Sequence, residues 1–170
     1  MVAGLLTVLP QAALADPATV TITPNAPLRF GTLLVPATGT RTINAFGAVS
    51  DSGLFTVGGS PIGPAQFSIV YDRGNESRRV INIQIQVTFS GLQQVTADGV
   101  VGRLSQVETD LPASIGAMTG TTMTLTLRGC AQRRCSTAFR VGGRLQVTRN
   151  YGGGELVFPL PAVATVLAVF

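Results

Sequence analysis

The residues of this chain that could do chemistry are its few carboxylates, its arginines and one pair of cysteines. Glu108 and Asp110 stand two apart, which on a strand puts both on one face, and Asp72 and Glu76 flank a turn. Paired carboxylates can cleave a glycosidic bond by acid and base steps, or hold a calcium ion with oxygen ligands. The chain has only eight acids in all, and in a β-rich sequence such acids ordinarily serve as solubilising loop charge. We therefore expect no catalytic residues, no metal and no cofactor.

What is missing narrows the field further. There is no His, and all twelve basic residues are Arg. Without His there is no Ser-His or Cys-His nucleophile pair and no imidazole ligand; without Lys there is no Schiff base and no phosphate-binding lysine. The glycine run Gly152-Gly153-Gly154 is followed by neither Lys nor a helix start, so it reads as a turn. Asn75-Glu76-Ser77 fits the N-glycosylation pattern and is likewise taken as a turn.

Cys130 and Cys135 are the only cysteines. Two thiolates are too few for a metal site, and a redox pair is more usually Cys-x-x-Cys. In an exported chain such a pair reads as a disulfide across a small loop, worth about 2 kcal/mol by loop-closure entropy.

The elements that must position these groups are strands. Glycine (20) and proline (10) are abundant and charged residues are only 12%, a balance that suits strands joined by tight turns. Ile81, Ile83, Ile85, Val87 and Phe89 alternate with Asn82, Gln84, Gln86, Thr88 and Ser90, so one face of a long strand enters a core. The same period holds for Met123, Leu125 and Leu127, for Phe139, Val141, Leu145 and Val147, and for Val20 and Ile22. Less regular strands are expected at 28–35, 39–44, 66–71 and 100–107, with one or two more over 155–170. Turns are expected at Asp51-Ser52-Gly53, Gly58-Gly59-Ser60-Pro61, Asp72-Arg73-Gly74-Asn75 and Ala97-Asp98-Gly99. About eight strands at this spacing predict an antiparallel β-sandwich. Glycines at Gly31 and Gly142-Gly143 interrupt strands and mark bulges or close backbone approaches.

Residues 1–15 contain no charge and combine the apolar run Val2–Leu9 with Ala13-Leu14-Ala15, the pattern of a secretory leader cleaved after Ala15; an N-terminal strand is the other reading. The remainder, 16–170, is expected to be a single domain. The stretch from Pro161 to Phe170 is apolar on both alternating faces, as in a strand buried on both sides or one that pairs with another subunit. It is too short for a transmembrane span.

Two segments carry a resemblance. Phe30-Gly31-Thr32, just after the first strand, together with Val141-Gly142-Gly143-Arg144-Leu145-Gln146-Val147 near the end, resembles a bacterial family of exported β-sandwich domains of unknown function, found in surface or fimbria-like proteins. The resemblance covers about Val20 to Phe170. It implies an immunoglobulin-like sandwich that assembles or adheres, and it brings no catalytic residues.

Two functions follow as expectations. One is a structural subunit of a bacterial surface fibre or matrix, reached through the periplasm with or without a chaperone, in which Val20 and Ile22 are the alternate side chains of a donor strand. That strand can equally pair within its own domain. The other is a monomeric surface module for anionic polysaccharide or lipopolysaccharide, using a basic face of Arg128, Arg133, Arg134, Arg140 and Arg144. Nucleic acid is not expected, because alternation sends Phe67, Phe89 and Phe139 inward and leaves no aromatic outside for stacking.

Overall fold

The structure is a computed structural model, and it describes residues 16–74, 79–90, 94–97, 99–111, 116–118, 122–149 and 154–170. The expected leader over 1–15, the Asn75-Glu76-Ser77 pattern and the glycines Gly152 and Gly153 lie outside the described residues. Every element among the described residues is a strand. In chain order they are β1 (Thr19–Ala26), β2 (Leu28–Leu34), β3 (Thr38–Ile43), β4 (Val49–Ser52), β5 (Phe55–Gly63), β6 (Ala65–Asp72) and β7 (Ile81–Phe89). They continue with β8 (Gln94–Ala97), β9 (Val100–Thr109), β10 (Gly116–Met118), β11 (Thr122–Cys130), β12 (Arg134–Arg149), β13 (Gly154–Phe158) and β14 (Ala162–Val169).

These strands form three antiparallel sheets. The largest runs β1-β6-β12-β3-β4, with β9 also on β12 and the short β8 and β10 on β9. The second is β11-β7-β14 and the third β13-β2-β5. The 16-residue β12 joins the large sheet together: its first half pairs with β6 and its second half with both β3 and β9.

The expected all-β sandwich is what the chain forms, and alternation is why. All five apolar residues of β7 are buried, each worth about 1.5–3 kcal/mol relative to exposure. They face Met123, Leu125 and Leu127 from β11 on their own sheet and the inward side chains of the large sheet. Phe67 on β6 makes the junction visible, since its ring stacks on Phe139 at 5.4 Å and meets Phe89 of β7 edge-on at 5.6 Å. The third sheet closes the other part of the core through Phe30 and Phe158, whose rings meet at 5.6 Å. Strands outnumber the expected eight because β4, β5, β8 and β10 are short or irregular strands with weak alternation.

The Gly58-Gly59-Ser60-Pro61 run, expected as a turn, is instead inside β5. Its partner explains it: Ile62 opposes Phe30 while Val57 opposes Thr32, so the run is the bulged side of a pairing against the one residue Gly31. Gly31 itself has φ +71°, and a Cβ there would sit 2.7 Å from Ile62 Cγ1. The expected bulge at that glycine is thus present. The C-terminal stretch is also corrected in part. β14 is not buried on both sides: it ends its sheet, with Ala162, Ala164 and Val166 packed against the core and Val163, Leu167 and Val169 exposed.

Candidate functional site

The candidate donor strand β1 lies at the end of the large sheet, with β6 as its one hydrogen-bonded neighbour among the described residues. Thr19 opposes Asp72, Val20 opposes Tyr71 and Ile22 opposes Ile69, so in this structure the strand pairs within its own domain. Val20 and Ile22 are partly buried and pack on the core, while the threonines between them face out. The pairing becomes irregular between Pro24 and Ala26, because Pro24 has no N–H to continue the ladder.

Beside the start of β1 the chain gathers charge. Cys130 and Cys135 form the expected disulfide, with Cα atoms 5.7 Å apart, and the loop it closes carries Arg133 and Arg134. Both arginines reach Asp72 at the end of β6: Arg133 Nε donates to Oδ1 at 2.9 Å and Arg134 Nε to Oδ2 at 2.8 Å. Arg133 also donates to Asp16 at 2.7 Å, and the Gly74 N–H donates to Asp72 at 2.9 Å. The two guanidinium hydrogen bonds, Arg133 foremost, hold the Asp72 carboxyl far below the usual carboxylate range, and Asp72 in turn raises the Arg133 pKa.

This arrangement divides the candidate anion-binding face. Arg133 and Arg134 are exposed but already bonded to acids, whereas Arg140 and Arg144 stand on the outward face of β12, six and ten residues beyond Arg134 along the strand. Arg128 lies on β11, which belongs to the opposite sheet. The five arginines are therefore not gathered into one patch.

The acids singled out for chemistry have structural partners. Glu108 accepts the Ala45 N–H at 2.8 Å, and Asp110 accepts the Arg140 N–H at 2.7 Å while its own N–H donates to the Arg140 carbonyl. Glu76 lies outside the described residues. Among the described residues no three Asp, Glu, Cys or His side chains come together as metal ligands.

One heavily bonded polar residue is a side chain that alternation alone would send inward unnoticed. Arg41 on β3 is fully buried, on the same parity as Ile43. Its Nε donates to Asp51 Oδ1 at 2.6 Å and its Nη2 to Oδ2 at 2.5 Å, a two-pronged pair across the β3-β4 hairpin. Nη1 donates to the Phe30 carbonyl at 2.6 Å and Nη2 also to the Thr56 hydroxyl, tying β3 and β4 to β2 and β5 of another sheet. Hydrogen bonding to Arg41 lowers the Asp51 pKa against the opposing effect of burial. Arg73, also buried, donates to the Arg79 carbonyl at 2.8 Å and to that of Cys130 at 2.5 Å, which fixes the disulfide hairpin to the β6 end.

These carboxylates set the response to acid. A carboxyl whose folded pKa lies below its unfolded value stabilises the fold above the ordinary carboxylate range, near pH 4, and loses that contribution as pH falls through the folded value. Asp72 and Asp51 both have this sign. With no His in the chain, no side chain with an ordinary pKa titrates between about pH 5 and 7. Thermal unfolding should give a constant Tm over that range and a falling one below about pH 4, with the acid loss reduced in Asp72→Asn. A transition centred between pH 5 and 7 would contradict this assignment.

Residues 20–156 match the family described as Domain of unknown function (DUF4402). The match takes in both β1 and most of the sandwich. The chain belongs to this family. No curated protein and no solved structure matches the chain. The DUF4402 region ends within β13, so β14 lies beyond it, while Asp72, Arg133, Arg134 and the Arg41–Asp51 pair are inside it. No helix among the described residues is long and apolar enough to cross a membrane.

Proposed function

We propose that this DUF4402 chain is a non-catalytic structural subunit of a bacterial surface fibre or matrix, exported through the periplasm and assembled by exchange of strand β1. The observation that carries this reading is the placement of Val20 and Ile22: alternate side chains of an end strand, half-buried, pack against the core while among the described residues a single neighbour, β6, supplies the main-chain bonds. A strand of that kind can leave its own β6 and make the same contacts in the next subunit, since main-chain bonds give affinity and alternate side chains fill the pockets. A contact passed head to tail without closing propagates as a filament. Further support comes from Glu108 and Asp110, whose carboxylate oxygens hold the Ala45 and Arg140 N–H groups.

The competing reading, a monomeric module for anionic polysaccharide, draws on the outward Arg140 and Arg144. It is the weaker one, because Arg133 and Arg134 already have carboxylate partners.

A staple tests the exchange. Thr21 and Val70 oppose each other on the outer face of the β1-β6 pair, where two cysteines are within reach of a bridge. Thr21→Cys/Val70→Cys, oxidised as the folded monomer, should be unable to seed or extend assemblies that the unsubstituted chain forms. Equal assembly by the stapled form would overturn strand exchange.

A further inference from the structure

We infer that the cleft where the end of β1 meets the β13-β14 link binds a neutral sugar, a pyranoside whose C–H face rests on prolines and whose hydroxyls meet Asn25, Gln66, Asp110 and Arg140. This goes beyond the exchange of β1 and does not require it.

The cleft has two adjoining halves that share Asn25 and Phe67. One half encloses about 340 Å³, within the size range of small-molecule sites, and is mainly apolar. Pro24 and Pro27 line it from the end of β1, and Pro159, Leu160 and Pro161 from the link between β13 and β14. Pro161 is fixed in place, since its carbonyl accepts the Ser90 N–H at 2.9 Å. Proline rings have no rotamer freedom to lose on binding, so this wall is preformed. The other half encloses about 240 Å³ and brings Gln66, Asp110 and Arg140 beside Asn25.

Local structure aims the polar groups. β1 pairs Pro24 with Phe67 and Ala26 with Gln66, which leaves Asn25 as the extra residue of a bulge, a device that turns a side chain out of the pleat. Asn25 Nδ2 donates to the Ser68 hydroxyl at 2.6 Å, and its carbonyl oxygen remains to accept. Gln66 opposes Arg140 in the β6-β12 pair. Asp110 is locked onto the same arginine, its Oδ1 accepting the Arg140 N–H at 2.7 Å and its own N–H donating to the Arg140 carbonyl at 3.3 Å. The working ends of both side chains stay open: the Arg140 guanidinium and Asp110 Oδ2 have no hydrogen bond or ion pair with another described residue.

The ligand class follows from this mixture. Asp110 and Arg140 offset each other's charge, so neither a net anion nor a net cation is favoured. Asp110 only accepts, Arg140 only donates, and the two amides do both. Groups that meet all four must donate and accept side by side, as the hydroxyls of a sugar do. The proline wall beside them matches the C–H face of a pyranose ring. A plain hydrocarbon would fit that wall but leave the polar groups unpaired, a costly outcome once they are covered.

The test uses the chain from Asp16 carrying the Thr21→Cys/Val70→Cys staple, which keeps β1 in its own sheet, with amide shifts followed by nitrogen–proton correlation NMR. The probes are the methyl glycosides of glucose, galactose and mannose, with glucuronate and trialanine as the charged and peptide comparisons. At least one neutral glycoside should shift the amides of Asn25, Gln66, Asp110 and Arg140 with a Kd of about 1 mM, the scale for a ligand of that size. Arg140→Gln and Asp110→Asn leave the main-chain bonds in place, and each should weaken binding by about tenfold while the circular dichroism spectrum is unchanged. Silence from all the neutral glycosides at tens of millimolar, shifts confined to another part of the chain, binding untouched by both variants, or a response to glucuronate or trialanine alone would overturn the sugar site. None of these results bears on β1 exchange.

Discussion

Asp51→Ala should lower Tm by roughly 10 °C, the largest loss expected from removing any single carboxylate of the chain. The substitution leaves the Arg41 guanidinium inside the fold with the Phe30 carbonyl and the Thr56 hydroxyl but no counter-charge. Breaking a buried pair from one side typically costs about 3–5 kcal/mol, and each kcal/mol moves Tm by about 2–4 °C in a domain of this size. The pair is asymmetric, with the Asp51 carboxylate partly open to water, so the lower end of that range applies. Replacing both partners by apolar groups removes the stranded charge. Arg41→Met/Asp51→Ala should therefore be more stable than Asp51→Ala alone, a reversal of additivity that thermal unfolding of the three variants reads directly. A double variant less stable than either single one would show that Arg41 acts through its neutral hydrogen bonds instead.

Gly142→Ala should be almost as damaging despite adding one methyl group. Gly142 lies on β12 opposite Glu108, and the chain leaving β3 folds directly over it. A Cβ there would run into the Ile43 carbonyl oxygen and stand 2.5 Å from Asn44 C and 2.6 Å from Ala45 N. All three neighbours are backbone, so relief requires moving the segment whose Ala45 N–H is held by Glu108. Overpacking of this kind costs about 3 kcal/mol, a Tm loss again near 10 °C. Gly59→Ala provides the contrast in space: no atom lies within 4 Å of its Cβ position, so its cost is confined to the positive φ of 108°. Equal Tm values for Gly142→Ala and the unsubstituted protein would mean that the β3-β4 connection does not cross β12 as described.

How far the sequence could be read depended on whether a residue's environment is set by its neighbours in the chain. β7 was fully legible, since five apolar and four polar side chains in strict alternation leave a strand only one way to face. The disulfide was legible for the same local reason. Arg41 was half legible: its parity with Ile43 points it inward, but its acceptors come from β2, β4 and β5, and no spacing announces them. Asp72 lies 61 residues from Arg133 and 117 separate Arg133 from Asp16, so the charge cluster is a product of topology. The Gly58–Pro61 run shows the limit in the other direction. Glycine and proline serve a turn and a bulged end strand alike, and only the register against β2 separates the two.

The same reasoning explains why β1 was ambiguous. Val20 and Ile22 fit a core whether that core belongs to the same chain or the next, and the β6 edge they pair with is identical in every copy. Which copy is used is a question of kinetics and concentration, because the contacts are equal in both. The measurement that bears most directly on the proposed assembly is electron microscopy with size exclusion on the chain beginning at Asp16 and on one beginning at Pro24, with circular dichroism to follow folding. The account predicts filaments or large oligomers from the first that vanish in the second. A folded monomer from the chain beginning at Asp16, or filaments that persist once Thr19–Thr23 is gone, would contradict it.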